Sequence, residues 1–184
     1  WYPWTAVPNP WSGPGVTGSA IWVLSIDAIR TPSALVRSSQ TETGMASDWN
    51  TKVIEEFRAN QGRVGGNFEG APIVLMHHRG RRSGTEHVNP VMYLPDPQSD
   101  DVIHVFGSNA GRPGNPDWYY NIVDAGTGEV EVGTERYPVT VTELTGEERD
   151  RIFDEQARRN PGFADYARKL EGVRTIPVLA LRRA

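Results

Sequence analysis

Cysteine is absent from the 184 residues. Its absence removes disulfides, thiolate zinc sites and cysteine nucleophiles together, and it permits a reducing cytoplasm. Long apolar runs are missing too. No stretch approaches the length that crosses a bilayer. The run Ala20 to Ile29 is short, carries Asp27 and lacks a basic leader, so no secretory signal is expected. Lysine is nearly absent, 2 Lys against 17 Arg, and positive charge is not in excess, since the formal net charge is −4. An acidic chain of this kind is not expected to bind nucleic acid.

What is present suits one globular domain with a proper core, at 38% hydrophobic residues. Residues 1–44 differ from the rest. Four of the six Trp (Trp1, Trp4, Trp11, Trp22) lie there with five Pro and four charged residues, and no helical or strand period runs long enough to build a domain. They read as a non-native or disordered extension, with a Trp-rich membrane-surface arm as the alternative. The folded domain is assigned to residues 45–184.

In that domain, Ser47 or Asp48 can cap a helix in which Trp49, Val53, Ile54 and Phe57 recur at helical spacing, and Gly62 ends it. Its apolar face is expected to pack on the domain. Peripheral contact with the inner face of a membrane, or closure over a ligand, is the other use of such a helix. A hairpin follows, Ile73 to Met76 and Val88 to Leu94, across a turn in which Gly80 and Gly84 allow positive φ. Val102 to Gly107 reads as a strand entering an irregular loop, and 117–123 as a short helix. Glu129 to Val132 and Tyr137 to Leu144 form a second hairpin. Thr145 and Glu148 make a capping box for a helix over 146–159, and Phe163 to Leu170 adds further helix after Asn160-Pro161-Gly162. Arg174 to Leu181 is the closing strand, with Pro177 arguing for an edge or a bulge. The fold class is α+β: a small antiparallel split β-barrel with flanking helices.

The hairpin tip is basic. From Arg58 to Glu86 there are five Arg and two acids, a local balance of +3 in a chain of −4. Arg79, Arg81 and Arg82, with His78, His87 and the Ser83 hydroxyl, suit an anion with several oxygens. His77 and His78 alternate in direction along a strand, so one is expected to be packed and the other to lie near the anion.

Gly80-Arg81-Arg82-Ser83-Gly84, Asn89-Pro90, Tyr93-Leu94, Ser108 after a strand, Asn115-Pro116-x-Trp118-Tyr119-x-Asn121, Asp165-Tyr166 and Arg174-Thr175-Ile176-Pro177 occur in one order. That ordered set resembles the deazaflavin-dependent nitroreductase and quinone reductase family, split-barrel oxidoreductases that use coenzyme F420. The resemblance runs from Trp49 to the C-terminus. It implies that Arg81, Arg82 and Ser83 hold the anionic tail of the cofactor, with His87 where the family often carries Arg. It implies one wall from Val88, Asn89, Pro90, Val91 and Met92, and a second from Phe106, Gly107, Ser108 and Asn109. Asp117, Trp118, Tyr119, Tyr120 and Asn121 would make a third, and Phe163 lies on the substrate side.

The implied reaction is hydride transfer from the reduced deazaflavin to a small-molecule acceptor, a quinone, enone or nitro compound. The cofactor supplies the reactivity, so no metal and no acid–base dyad is required. Negative charge builds on the acceptor's far oxygen, where a hydroxyl donor stabilises it, and Ser108 and Tyr166 are the candidate catalytic residues. An FMN-dependent oxidoreductase of the same barrel class, or a non-catalytic F420-binding protein, are the alternatives.

Overall fold

Strand β1 (Ile73–Arg79) opens on an unbroken apolar run because both of its faces are covered. Val74 and Met76 point into one cluster with Ile103, Val105, Val130, Val139, Leu179 and Leu181. Ile73 and Leu75 point the other way, against Val53, Phe57 and Val64. The same period of two recurs in the last strand, where Leu179 and Leu181 join the inner cluster and Val178 the outer one. These alternations close a barrel.

The computed structural model describes residues 48–184. The extension assigned to 1–44, and the capping role of Ser47, lie outside them. Six antiparallel strands run in the order β1-β2-β3-β6-β5-β4 around the barrel. They are β1, β2 (Glu86–Pro95), β3 (Val102–Phe106), β4 (Thr127–Val132), β5 (Glu135–Leu144) and β6 (Val178–Arg183). Every neighbouring pair, β1 with β4 included, is hydrogen-bonded, which confirms the α+β barrel expected from the sequence.

Among the described residues four α-helices flank it. Residues 48–59 form α1, followed by α2 (Asp117–Ala125), α3 (Gly146–Arg159) and α4 (Pro161–Lys169). On α1, Val53 and Phe57 are buried against the outer face of β1, as its spacing predicted. Trp49, at the start of the same helix, is 44% exposed. Among the described residues no helix is long and apolar enough to cross a membrane. Helix α2 sends Trp118 and Ile122 into the inner cluster. Helices α3 and α4 cover the outer cluster of Leu94, Phe106, Ile152, Phe153, Phe163, Leu170 and Ile176.

Three local expectations are corrected. Thr145 precedes α3 without a side-chain cap, so the capping box with Glu148 is not formed. The closing strand begins at Val178, not Arg174, and β6 lies between β3 and β5. Pro177 therefore marks the strand's entrance and not an edge, its carbonyl accepting from the Gly107 N–H at 2.9 Å. Finally, Gly84 has φ 67° whereas Gly80 is not among the positive-φ residues. Its neighbours are close instead: a Cβ at Gly80 would fall 2.5 Å from Ser83 Oγ, so the Ser83 side chain would have to turn away.

Candidate functional site

Strand β2 pairs with β1 from Glu86 to Met92, but with β3 only at Tyr93–Pro95. Among the described residues no strand pairs with its second edge from Val88 to Met92, and these residues are half-buried. That edge is a seam in the barrel wall. It offers unpaired backbone groups beside an apolar interior, as a planar ring with polar rims requires.

Helix α2 flanks the seam. Its entry residue Pro116 lies 3.7 Å from where a Gly107 Cβ would stand, so it starts beside the end of β3. Its middle reaches the basic turn: the Arg81 N–H donates to Asn121 Oδ1 at 3.1 Å, and the Arg81 guanidinium lies 4.9 Å over the Tyr120 ring. Asn121, buried in the α2 interface, donates its Nδ2 to His78 Nδ1 at 3.3 Å. His78 Nε2 in turn lies 2.8 Å from Asn89 Oδ1 on β2. Burial pushes His78 below the ordinary histidine range, opposed by its hydrogen bond with Asn89 and aided by the nearby His87 and His77. The rings of His78 and His87 stack at 5.5 Å.

The turn itself is drawn tight by Gly80 N–H to Thr85 O at 2.8 Å and Gly84 N–H to Gly80 O at 2.7 Å. Ser83 Oγ accepts from the Thr85 N–H. Arg79 is engaged with Glu86 in an exposed pair. Arg81 and Arg82 are exposed and have no acidic partner among the described residues. Two guanidiniums left without counter-ions on a rigid turn fit a multiply charged anion, which is the donor chemistry that the tail of a deazaflavin cofactor calls for.

The far end of the seam is the loop after β3. Gly107 is buried against Pro177, where any Cβ would meet the Pro177 ring at 2.7 Å. Asn109 and Ala110 adopt positive φ, 49° and 53°, and the Asn109 Nδ2 closes the loop on Gly114 O at 2.9 Å. Gly111 packs on Tyr166 of α4. Tyr166 in turn meets the Phe163 ring edge-on, and Phe163 meets Phe106 in the same way.

The fold thus brings Arg81, Ser83, His87, Asn89, Tyr120 and Asn121 together at one end. Phe106, Gly107, Ser108, Asn109, Phe163 and Tyr166 gather at the other. Val88 and Met92 face the outer clusters, Val91 the inner one, and Pro90 lies half-buried between them. Trp118 is committed to the barrel core, Asp117 is exposed in the first turn of α2, and the Tyr119 hydroxyl is turned to Glu143 at 2.9 Å.

Arg174 opens the closing Arg-Thr-Ile-Pro motif. Its guanidinium donates to the carbonyls of Gly107, Ser108 and Arg112 and to Asn115 Oδ1, and so fixes the whole loop after β3. Desolvation lowers its pKa, with only the Tyr120 hydroxyl acting in the other direction. Two open concavities lie elsewhere, one along 59–72 and one between α3, α4 and 172–176. Neither includes the basic turn.

Residues 49–183 match the family model described as F420H(2)-dependent quinone reductase. The chain belongs to that family. A Mycobacterium tuberculosis protein named as a candidate F420H(2)-dependent quinone reductase is 32% identical over 121 residues, 65% of this chain and 98% of its own length. A second M. tuberculosis protein, named F420H(2)-dependent quinone reductase, is 28% identical over 69% of this chain and 85% of its own. Among solved structures, one titled F420-H2 dependent reductase (FDR-A) aligns with TM-score 0.53 and 31% identity over 60% of this chain and 94% of its own. One titled domain-swapped dimer aligns with TM-score 0.55 and 29% identity over 83% of this chain and all of its own. F420H(2)-dependent quinone reductases are oxidoreductases whose cofactor is coenzyme F420, as the ordered motifs implied.

Proposed function

We propose that this quinone reductase family member transfers a hydride from reduced coenzyme F420 to a quinone. The observation that carries the reading is the pair of exposed guanidiniums, Arg81 and Arg82, on a turn at one end of the seam in β2. When bound, the cofactor supplies a hydride from its reduced ring; with one proton, this converts a quinone to a hydroquinone. The chain's own residues bind, orient and exclude water.

In this reading Arg81, Arg82 and Ser83 would hold the anionic tail, and the β2 edge from Val88 to Met92 would offer its backbone to the ring. Phe106 and Phe163 provide apolar cover at the opposite end. Ser108 and Tyr166, whose hydroxyls make no hydrogen bond among the described residues, donate to the oxygen that gains charge. Neither needs to ionise to do so. Enones and nitro compounds develop the same charge on an oxygen and are weaker candidates, since the family's name carries the quinone.

The test mixes purified protein with reduced F420 and menadione and follows the absorbance of the oxidised cofactor. Turnover is expected, with Ser108→Ala and Tyr166→Phe each lowering kcat by about tenfold. Tight binding without turnover of quinone, enone or nitro acceptors would identify a cofactor carrier instead, and copurified flavin mononucleotide an FMN enzyme.

A further inference from the structure

The basic turn is tied to a histidine through a single buried carboxamide, and the direction of every bond in that tie is determined. A backbone N–H can only donate, so the Arg81 N–H at 3.1 Å fixes Oδ1 of Asn121 on the turn side. The Asn121 NH2 must then face His78 Nδ1 at 3.3 Å, which makes Nδ1 an acceptor. The ring proton is left on Nε2, where Asn89 Oδ1 accepts it at 2.8 Å. The chain of bonds is self-consistent only with His78 neutral.

A proton on Nδ1 would set two donors against each other. If the Asn121 carboxamide turned over to relieve that clash, its NH2 would oppose the Arg81 N–H instead. One of the two bonds is therefore lost whenever His78 is charged. The groups around His78 agree with a neutral ring. His87 stacks on it from β2, His77 and Arg79 flank it on β1, Arg81 lies across Asn121, and the nearest acid of the turn, Glu86, is taken by Arg79.

We propose that Asn121 is a positioning residue that couples the basic turn to the protonation state of His78, so that the turn is held for its anion only while His78 is neutral. Because it assigns a role in holding the cofactor's anionic end, the inference rests on the reading above. Its first test does not require the cofactor.

In nitrogen-15 NMR of the cofactor-free chain, His78 at neutral pH should show a protonated Nε2 and a bare Nδ1. On acidification the Arg81 amide signal should follow the His78 ring with one shared midpoint, below that of an ordinary histidine. In Asn121→Ala the Arg81 amide should no longer follow it. If that variant does not fold, Asn121→Asp serves, since a carboxylate accepts from both the Arg81 N–H and a charged His78, and the His78 midpoint should then rise above its wild-type value. A proton on Nδ1 at neutral pH, or an Arg81 amide indifferent to His78 in the wild type, would overturn the coupling.

The second test measures F420 affinity in a His87→Gln background, which removes the other histidine at the turn. Asn121→Ala should weaken binding by on the order of tenfold at neutral pH, and acid should weaken binding only while Asn121 is present. Unchanged affinity in Asn121→Ala would overturn the positioning role. Failure of the parent chain to bind F420 at all would overturn the functional reading and leave the NMR result standing.

Discussion

Arg174 holds Ser108 by its backbone, donating Nη2 to the Ser108 carbonyl at 2.9 Å across 66 positions of sequence. The same guanidinium reaches Gly107 O, Arg112 O and Asn115 Oδ1, so one side chain sets the loop that follows β3. Arg174→Met should cost about 2–4 kcal/mol, because it strips a charged donor from several carbonyls at once. Arg174→Lys should recover only part, lacking the planar fork. Urea unfolding measures both. In turnover, both variants should lower kcat more than they raise the apparent Kd for F420, since the basic turn lies at the other end of the seam.

Tyr119 gives a test at high pH. Burial, the hydrogen bond to Glu143 and that carboxylate's charge push its hydroxyl up to about 12. The unfolded chain loses this proton near the ordinary tyrosine value of about 10. The folded state thus retains more protons between the two values, and stability falls as pH rises through that window. Ultraviolet difference titration should show Tyr119 among the tyrosines that ionise late, since burial also raises Tyr93 and Tyr137. Glu143→Gln should move Tyr119 back towards the ordinary value.

Glu131 tests the junction of α1 with the barrel. Its Oε1 receives Arg58 Nη2 at 2.5 Å from α1 and lies 2.7 Å from His77 Nε2 on β1. The Arg58 hydrogen bond holds its carboxyl below the usual range, with His77 adding to the effect. A depressed carboxylate contributes stability that is present above its unfolded pKa and is lost as pH falls through the folded one. Arg58 is half exposed, so screening limits the gain, and Glu131→Gln should cost only about 1 kcal/mol at neutral pH. The acid side of the stability profile should flatten in that variant.

The strand order could be followed along the chain because each strand carries a local signal. The run Ile73 to Met76 is apolar on both faces, and the turn at 80–84 carries a glycine where φ is positive, Gly84. Even so, closure of β1 onto β4 has no local mark, being a pairing between residues more than fifty positions apart. The guanidinium cluster was legible from spacing alone. The tie behind it was not: Asn121 shares α2 with Trp118, but its partners, His78 and the Arg81 backbone, come from β1 and the turn. A polar residue on an apolar helix face was the available signal. Arg174 left less, since an arginine bonded to distant carbonyls looks in sequence like any surface arginine. Thr145 misled for the opposite reason, a capping pattern being a local preference that the entry geometry of α3 overrides.

The basic turn can be altered without disturbing the barrel, because Arg81 and Arg82 are exposed and have no acidic partner among the described residues. Arg81→Ala with Arg82→Ala should leave the unfolding midpoint within about 0.5 kcal/mol of the parent. The most direct measurement is the affinity of oxidised F420 for this double variant and for the parent, each across a range of salt. The parent should bind more tightly and weaken as salt rises, while the variant binds at least tenfold more weakly, about 1.4 kcal/mol, with a shallower salt dependence. Equal affinities with equal salt slopes would contradict the claim that this turn grips the cofactor.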